Sequence, residues 1–304
     1  MISEILPTEL LKGLQRLDIN KIYEIRLRQN APVVINYYGK NIVLKKDDLT
    51  KENFIATREM IETTLKKATE NSIYAYNYQI KQGFITARGG LRLGIAGESV
   101  VSENFMPKTM KDICSINIRI PHEVKNCAQV AFKFIYSAET GLKNTLIISP
   151  PGAGKTTFLR DISRQISLIQ STIYNVLIVD ERFELASVVN GEAMLDVGCF
   201  ADIVSGASKE FAFENGIRSL RPDVIVTDEL ISREDSLACE KAIMSGVKVI
   251  ASVHANSLAQ FKEKENFQNL IKERCFERYI VLSNKNGPGT YQGIFDENFN
   301  CIYF

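Results

Sequence analysis

The chain has 304 residues, 45% hydrophobic and 24% charged, with Lys+Arg 37 against Asp+Glu 36 and a formal net charge of +1. This composition buries a sizeable core in one large or two medium domains and excludes a disordered or collagen-like chain. The balanced charge argues against a strongly basic nucleic-acid binder, although it leaves room for a local basic patch.

The N-terminus, Met1-Ile2-Ser3-Glu4-Ile5-Leu6-Pro7, has no basic stretch followed by an apolar one, so it does not read as a secretory signal. No run approaches the roughly 18 apolar residues that a spanning helix needs. The expectation is a protein with no membrane span of its own, which leaves docking through a partner open. Six cysteines, Cys114, Cys127, Cys199, Cys239, Cys275 and Cys301, are scattered without a Cys-x-x-Cys pair, and His122 and His254 do not form a metal-ligand cluster with them. They read as reduced thiols of a cytoplasmic protein, not as a disulfide frame or a zinc site.

In chain order, Glu24 to Arg28 alternates polar and apolar residues as a half-buried strand does. Pro32 to Tyr37 is β-branched and runs into a turn at Gly39. Phe54 to Glu70 carries a helical stripe at Ile55, Met60, Ile61, Leu65 and Ala68. Gly83 to Thr86, Gly89-Gly90 and Leu91 to Ile95 read as a β-hairpin. Ser115 to Ile120 alternates again and stops at Pro121, which sets the expected boundary between an α+β N-terminal domain, 1–121, and a second domain, 122–304.

The pattern then changes. Thr145 to Ile148, Val176 to Val179, Asp223 to Thr227 and Val247 to Val253 are apolar strands separated by helical stretches. Such runs predict an α/β domain whose mostly parallel sheet is covered on both faces. Arg278 to Leu282 and Tyr291 to Phe295, with Gly287-Pro288-Gly289 between them, predict an antiparallel pair.

Between the first of these strands and a helix lies Ser149-Pro150-Pro151-Gly152-Ala153-Gly154-Lys155-Thr156. A P-loop is Gly-x-x-x-x-Gly-Lys-Ser/Thr in that context, with N–H groups curled around phosphate oxygens at a helix N-terminus. The candidate nucleotide-binding residues are Pro151, Gly152, Ala153, Gly154, Lys155, Thr156 and Thr157. Lys155 would reach the β- and γ-phosphates of ATP, and the Thr156 hydroxyl would ligate Mg2+. Ser149 stands where the first glycine is usual, and the expectation is weakened rather than lost phosphate binding.

Acidic residues end two later strands. Val224-Ile225-Val226-Thr227-Asp228-Glu229 has a Walker B pattern, in which one carboxylate holds Mg2+ and another polarises water. Ile178-Val179-Asp180-Glu181-Arg182-Phe183-Glu184 is the second. The residues leave open which of Asp180, Glu181, Glu184 and Asp228 does what. Thr156, Asp228 and Glu229 are the candidate metal ligands. His254 ends the strand Val247 to Val253 at the same edge of the sheet. A GTPase would need Asn-Lys-x-Asp, and Asn284-Lys285-Asn286-Gly287 lacks the aspartate. The glycines at 89–97 precede no helix, so they are no dinucleotide fingerprint.

These motifs, in this order, resemble the type II/type IV secretion ATPase superfamily. The Walker A loop is Ser149 to Thr156, the Asp box is Asp180 to Glu184, Arg218-Ser219-Leu220-Arg221-Pro222-Asp223 leads into Walker B, and Val253-His254-Ala255-Asn256 matches the His box. The Asp-Glu form of Walker B, with Glu24 to Arg28 and the hairpin at 83–97, is similar to a branch of that superfamily that acts in sporulation.

The resemblance implies a RecA-like P-loop ATPase core beside the smaller domain, and a homo-oligomeric ring, usually a hexamer. It implies catalytic roles for Glu229, Glu181, Glu184, His254, Arg218 and Arg221, with Arg26, Arg28, Arg92 and Arg119 as further arginine candidates. It also implies a cytoplasmic, mother-cell enzyme that docks on membrane-embedded partner proteins of a secretion-like channel. Two other readings stay open: an ATP-driven nucleic-acid motor, and a nucleotide-bound assembly scaffold without turnover.

Overall fold

The structure, a computed structural model, describes residues 2–47, 51–101 and 107–304. Met1, the first residue of the N-terminal reading, lies outside the described residues. The chain divides into two compact units. One comprises Met1–His122 with Val188–Met194, and the other Glu123–Ser187 with Leu195–Phe304.

The first unit is built on six antiparallel strands: β1 Ile22–Arg28, β2 Val34–Tyr37, β3 Lys40–Val43, β4 Phe84–Ala87, β5 Leu91–Val101 and β6 Pro107–Arg119. Their order across the sheet is β3-β2-β1-β6-β5-β4. Alternation puts Ile25, Leu27, Leu93, Ile95, Ile116 and Ile118 on the core face. The helix α1, Arg58–Ala68, covers that core with Met60, Ile61, Leu65 and Ala68.

Helix α1 begins later than the stripe from Phe54 predicts. Phe54 is held extended, donating to the Leu44 carbonyl and accepting from Val33 N–H. Thr57 then caps the helix by accepting from Met60 N–H at 3.3 Å. The hairpin predicted at 83–95 forms as β4 and β5, turning through Gly89 and Gly90 at φ 72° and 71°.

The segment Val188–Met194, far along the chain, belongs to this unit because Val188–Val189 lies against β4 and the turn at Arg88–Gly90. Val188–Val189 pairs with Glu192–Ala193 around Asn190-Gly191, both left-handed at φ 50° and 83°, the geometry of a tight two-residue turn. Asn190 Nδ2 donates to Glu70 Oε2 at 3.2 Å, and Val189 is buried.

The second unit holds an eight-stranded sheet of β7 Thr145–Ser149, β8 Val176–Asp180, β9 Ala201–Ser205, β10 Val224–Thr227, β11 Lys248–His254, β12 Arg278–Ser283, β13 Thr290–Asp296 and β14 Cys301–Tyr303. The order is β9-β8-β10-β11-β7-β12-β13-β14. Strands β9 to β12 run parallel along this order, and β13 and β14 extend the β12 edge antiparallel. The sheet is therefore mixed. β7, β8 and β10 are buried from end to end, and β11 at all but its first and last residues, which is why they read as Val/Ile/Leu-rich runs.

Helices cover this sheet. α2 Lys155–Ile166 packs against β7, β10 and β11 through Phe158, Leu159 and Ile162. α3 Lys209–Leu220 and α4 Arg233–Met244 pack on each other and on β8 and β11. β7, β8, β10 and β11 all end at the same edge, which gathers Ser149, Asp180, Asp228 and His254 from four distant parts of the sequence.

Candidate active site

The P-loop grows directly out of β7. Ser149 is the last residue of that strand, fully buried and in register with His254 of β11. Its carbonyl accepts from Ala255 N–H at 3.2 Å. The left-handed positions come later, at Gly152 (φ 72°) and Gly154 (φ 85°). Only these two need glycine, so serine at 149 costs the loop nothing in backbone strain. Ser149→Gly is expected to lower stability by about 0.5–1 kcal/mol, as glycine within a strand does, and to leave nucleotide affinity unchanged. Urea denaturation and titration with a fluorescent nucleotide check the two halves.

Gly154 caps α2 without a side chain, so the first-turn N–H groups of Lys155, Thr156 and Thr157 have no partner inside the helix. They point with the positive end of the helix dipole, where phosphate binds well. The β12–β13 turn braces the loop from outside. Asn284 Nδ2 donates to the Pro151 carbonyl at 3.2 Å, and Gly289 N–H donates to the Ala153 carbonyl at 2.9 Å. This brace is the place of the Asn284-Lys285 stretch that fails as a guanine motif.

Three polar side chains meet above the loop. Lys155 Nζ lies 3.1 Å from His254 Nε2 and 4.0 Å from Glu229 Oε2, and His254 Nε2 lies 3.3 Å from Glu229 Oε1. His254 Nδ1 is 3.3 Å from the Ser149 carbonyl. A carbonyl only accepts, so Nδ1 carries the proton and Nε2 accepts from the Lys155 ammonium. A second group sits beside it. Thr156 Oγ1 donates to Asp228 Oδ2 at 2.8 Å, and Asp228 Oδ1 accepts from Ser252 Oγ at 3.0 Å and from Glu229 N–H at 2.9 Å.

This second group suits Mg2+. A hydroxyl and a carboxylate oxygen already in contact are the hard donors that the ion takes, with phosphate oxygens and waters completing its shell. Among the described residues no group of three His, Cys, Asp or Glu side chains is arranged to hold a metal ion. Of the three candidate ligands, Thr156 and Asp228 sit together, while Glu229 faces Lys155 and His254.

The Asp box has a different design. Asp180 is 1% exposed and accepts four backbone N–H bonds. Glu184 and Leu185 donate to its Oδ1 at 2.7 and 3.1 Å, and Ala186 and Ser187 to its Oδ2 at 2.9 and 3.3 Å. Burial pushes its carboxyl upward against the pull of those N–H groups. The buried Arg160 of α2 donates to the carbonyls of Leu185 at 2.7 Å and Glu184 at 2.6 Å. The loop is thus tied to the P-loop helix through its backbone.

Of the acids proposed from this box, Glu181 is drawn away by another partner. Glu181 turns to the buried Lys209 of α3 at 2.6 Å. Glu184 joins the network through its N–H and carbonyl. Arg218 and Arg221 are also not brought to the loop. They precede β10, whose far end carries Asp228, and a four-residue strand spans about 13 Å. Arg218 is exposed and pairs with Glu214 at 2.8 Å, one helical turn away. Arg221 ends α3 in the left-handed conformation.

In the first unit, the arginine candidates line the polar face of the sheet. Arg26 and Arg119 both approach Glu24, at 3.4 and 3.5 Å, and Arg92 lies 4.1 Å over the Phe84 ring. Arg28 is exposed at the end of β1.

Two members of the site escaped the sequence reading. Ser252 sits inside a buried strand, and nothing in an apolar run marks one hydroxyl as the support of Asp228. Arg182 lies within the Asp box, and its Nη1 is 3.6 Å from Glu229 Oε2. The available signal was its place: a cation just past β8, the neighbour of the strand that ends in Glu229.

The chain is similar to known proteins along nearly its whole length. The profile of the family described as Sporulation stage III, protein AA matches residues 1–302. Stage III sporulation protein AA of Bacillus subtilis (strain 168) is 34% identical over 306 residues, covering 99% of this chain and 96% of that protein. The ATPase DotB of Legionella pneumophila superposes with a TM-score of 0.58 at 13% identity, over 91% of this chain and 77% of that one. The pilus retraction motor PilT, crystallised with bound ADP, gives 0.57 at 15% identity, over 90% and 76%. At those identities the likeness speaks for the fold alone, a mixed α/β fold that this chain shares with DotB and PilT. The chain therefore belongs to the sporulation stage III, protein AA family.

Proposed function

We propose that this chain hydrolyses ATP as a secretion-type motor, driving assembly or transport through a membrane-embedded channel complex in sporulation. The observation that carries the reading is the convergence of Lys155, His254 and Glu229 above a P-loop whose Thr156 already contacts Asp228.

In this reading the N–H groups of Gly152 to Thr157 and the Lys155 ammonium hold the phosphates. Mg2+, held by Thr156 and Asp228, would supply charge neutralisation at the phosphate oxygens. Glu229 orients the attacking water and accepts its proton, and His254 senses the terminal phosphate through the loss of its contact with Lys155. Glu181 and Glu184 act at one remove, by shaping the loop beside Glu229. Arg218 and Arg221, remote from the P-loop of their own chain, fit this scheme as residues offered to a neighbouring subunit. A ring of six, with arginines completing the site next door, suits that placement.

We place the protein in the mother-cell cytoplasm, docked on membrane-embedded partners. Among the described residues no helix is long and apolar enough to cross a membrane.

The test is steady-state phosphate release from ATP with Mg2+ over a range of protein concentrations. Turnover per subunit is expected to rise with concentration as rings assemble. ATP binding without turnover at any concentration would favour the scaffold reading. Stimulation by single-stranded nucleic acid would favour the nucleic-acid motor.

A further inference from the structure

Phosphate binding by a P-loop depends on which way its peptide groups face, and glycine leaves that choice open. In a trans peptide the C=O and N–H point in opposite directions, so fixing one aims the other. Gly152 and Gly154 sit at φ 72° and 85°, and because glycine tolerates both signs of φ, the peptides beside them turn over easily. Among the described residues, the N–H groups of these two glycines have no protein acceptor.

The carbonyls of the same two peptides are both taken, and both by one turn. The Pro151 carbonyl shares its peptide with the Gly152 N–H and accepts from Asn284 Nδ2 at 3.2 Å. The Ala153 carbonyl shares its peptide with the Gly154 N–H and accepts from Gly289 N–H at 2.9 Å. With both carbonyls drawn toward the β12–β13 turn, both N–H groups face away from it. The contact is close: a methyl group at position 154 would lie 3.5 Å from Gly289 N and 3.5 Å from Pro288 Cβ.

The turn is itself held in shape. Gly287 N–H donates to the Asn284 carbonyl at 3.2 Å, and Thr290 Oγ1 donates to the Gly287 carbonyl at 2.7 Å. Pro288 fixes its own φ. β12 and β13 pair right up to the turn, with Ser283 opposite Thr290 and Ser283 buried. A loop kept in its binding conformation by such a wall loses less freedom when phosphate arrives.

We infer that Asn284 is a positioning residue for phosphate binding: together with the Gly289 N–H it draws the Pro151 and Ala153 carbonyls outward, and so aims the Gly152 and Gly154 N–H groups at the phosphates before nucleotide binds. The inference rests on the nucleotide-binding part of the reading above. Its structural half, the hold of Asn284 on one peptide, is measurable in protein without nucleotide.

The experiment uses the full chain with Asn284→Ala and, as a control in the same turn, Asn286→Ala. Among the described residues Asn286 makes no hydrogen bond to the P-loop. The first readout is titration with fluorescent ADP and Mg2+. Asn284→Ala is expected to weaken binding about three- to tenfold, the size of one net hydrogen bond, and Asn286→Ala to bind as wild type does. Both side chains are exposed, so thermal unfolding is expected to stay at the wild-type midpoint.

The second readout is 15N relaxation dispersion of the glycine amides in nucleotide-free protein, with Gly152 assigned by its loss in Gly152→Ala. In Asn284→Ala the Gly152 amide is expected to gain exchange broadening on the μs–ms timescale. The Gly154 amide, still held through Gly289, is expected to stay as in wild type. Unchanged ADP affinity in Asn284→Ala, or an equal loss in Asn286→Ala, overturns the inference. A fall in thermal stability with the Gly152 amide unmoved marks a merely structural role and overturns it too. If wild type binds no ADP, the nucleotide reading fails, and the Gly152 amide alone decides whether Asn284 orients that peptide.

Discussion

Glu229→Gln is expected to reduce ATP turnover by about a hundredfold or more while leaving nucleotide binding intact. The substitution keeps the size and one acceptor oxygen but removes the base that takes a proton from water, a step usually contributing 10²–10⁴-fold, by order of magnitude about. Lys155→Ala is expected to lose turnover to a similar extent for another reason. It removes the cation that stabilises charge on the transferred phosphate, worth roughly 10²–10³ for one preorganised donor, and it weakens binding as well. The pair separates the two roles in one assay: phosphate release for rate, and a fluorescent nucleotide for affinity. Glu181→Gln is the informative control, because its carboxylate serves Lys209. Its effect should appear in stability, with kcat close to that of wild type. A Glu181→Gln enzyme as inactive as Glu229→Gln would transfer the role of base to the Asp box.

That control follows from what the sequence hides. The P-loop is legible because its chemistry is contiguous: strand, glycines, Lys155, Thr156 and helix lie within a dozen residues. Asp228-Glu229 and His254 are legible as ends of apolar strands, because parallel strands deliver their C-terminal residues to one edge. Which acid faces Lys155 depends on the order of strands and on one residue of a later helix. Lys209, 28 positions after Glu181, draws that carboxylate aside, and no local pattern announces it. The same holds for Arg160, which reads as one basic residue on an amphipathic helix and proves to be a buried support of the Asp box. Val188–Met194 hides for a related reason. Its hairpin is two residues to a side, too short for periodicity, and its membership in the first unit is a matter of long-range contact. Edge strands β9 and β14 lack the full burial that makes the central strands conspicuous.

Asp180→Asn should produce the largest loss of stability among single substitutions at the site, about 2–5 kcal/mol. The argument counts donors. The native carboxylate has two oxygens and accepts four N–H groups, two on each. Asparagine keeps one acceptor oxygen and replaces the other with an NH2 that faces two N–H donors. Two buried donors are then left unmade, at about 1–3 kcal/mol each, and the donor–donor contact adds to the cost. Arg160, buried nearby, loses a favourable negative charge at the same time. The sharpest measurement is hydrogen exchange at the amides of Glu184, Leu185, Ala186 and Ser187. In wild type these should be among the slower loop amides, and in the variant they should exchange about thirtyfold faster or more, the equivalent of a 2 kcal/mol cheaper opening. Thermal unfolding should fall in parallel. Unchanged exchange at those four amides would mean that the loop is held by Arg160 and its own turns, and that Asp180 is free for chemistry. Accelerated exchange would identify Asp180 as the anchor of the loop whose Arg182 approaches Glu229, and would explain why an acid at the same sheet edge as the P-loop serves backbone N–H groups instead.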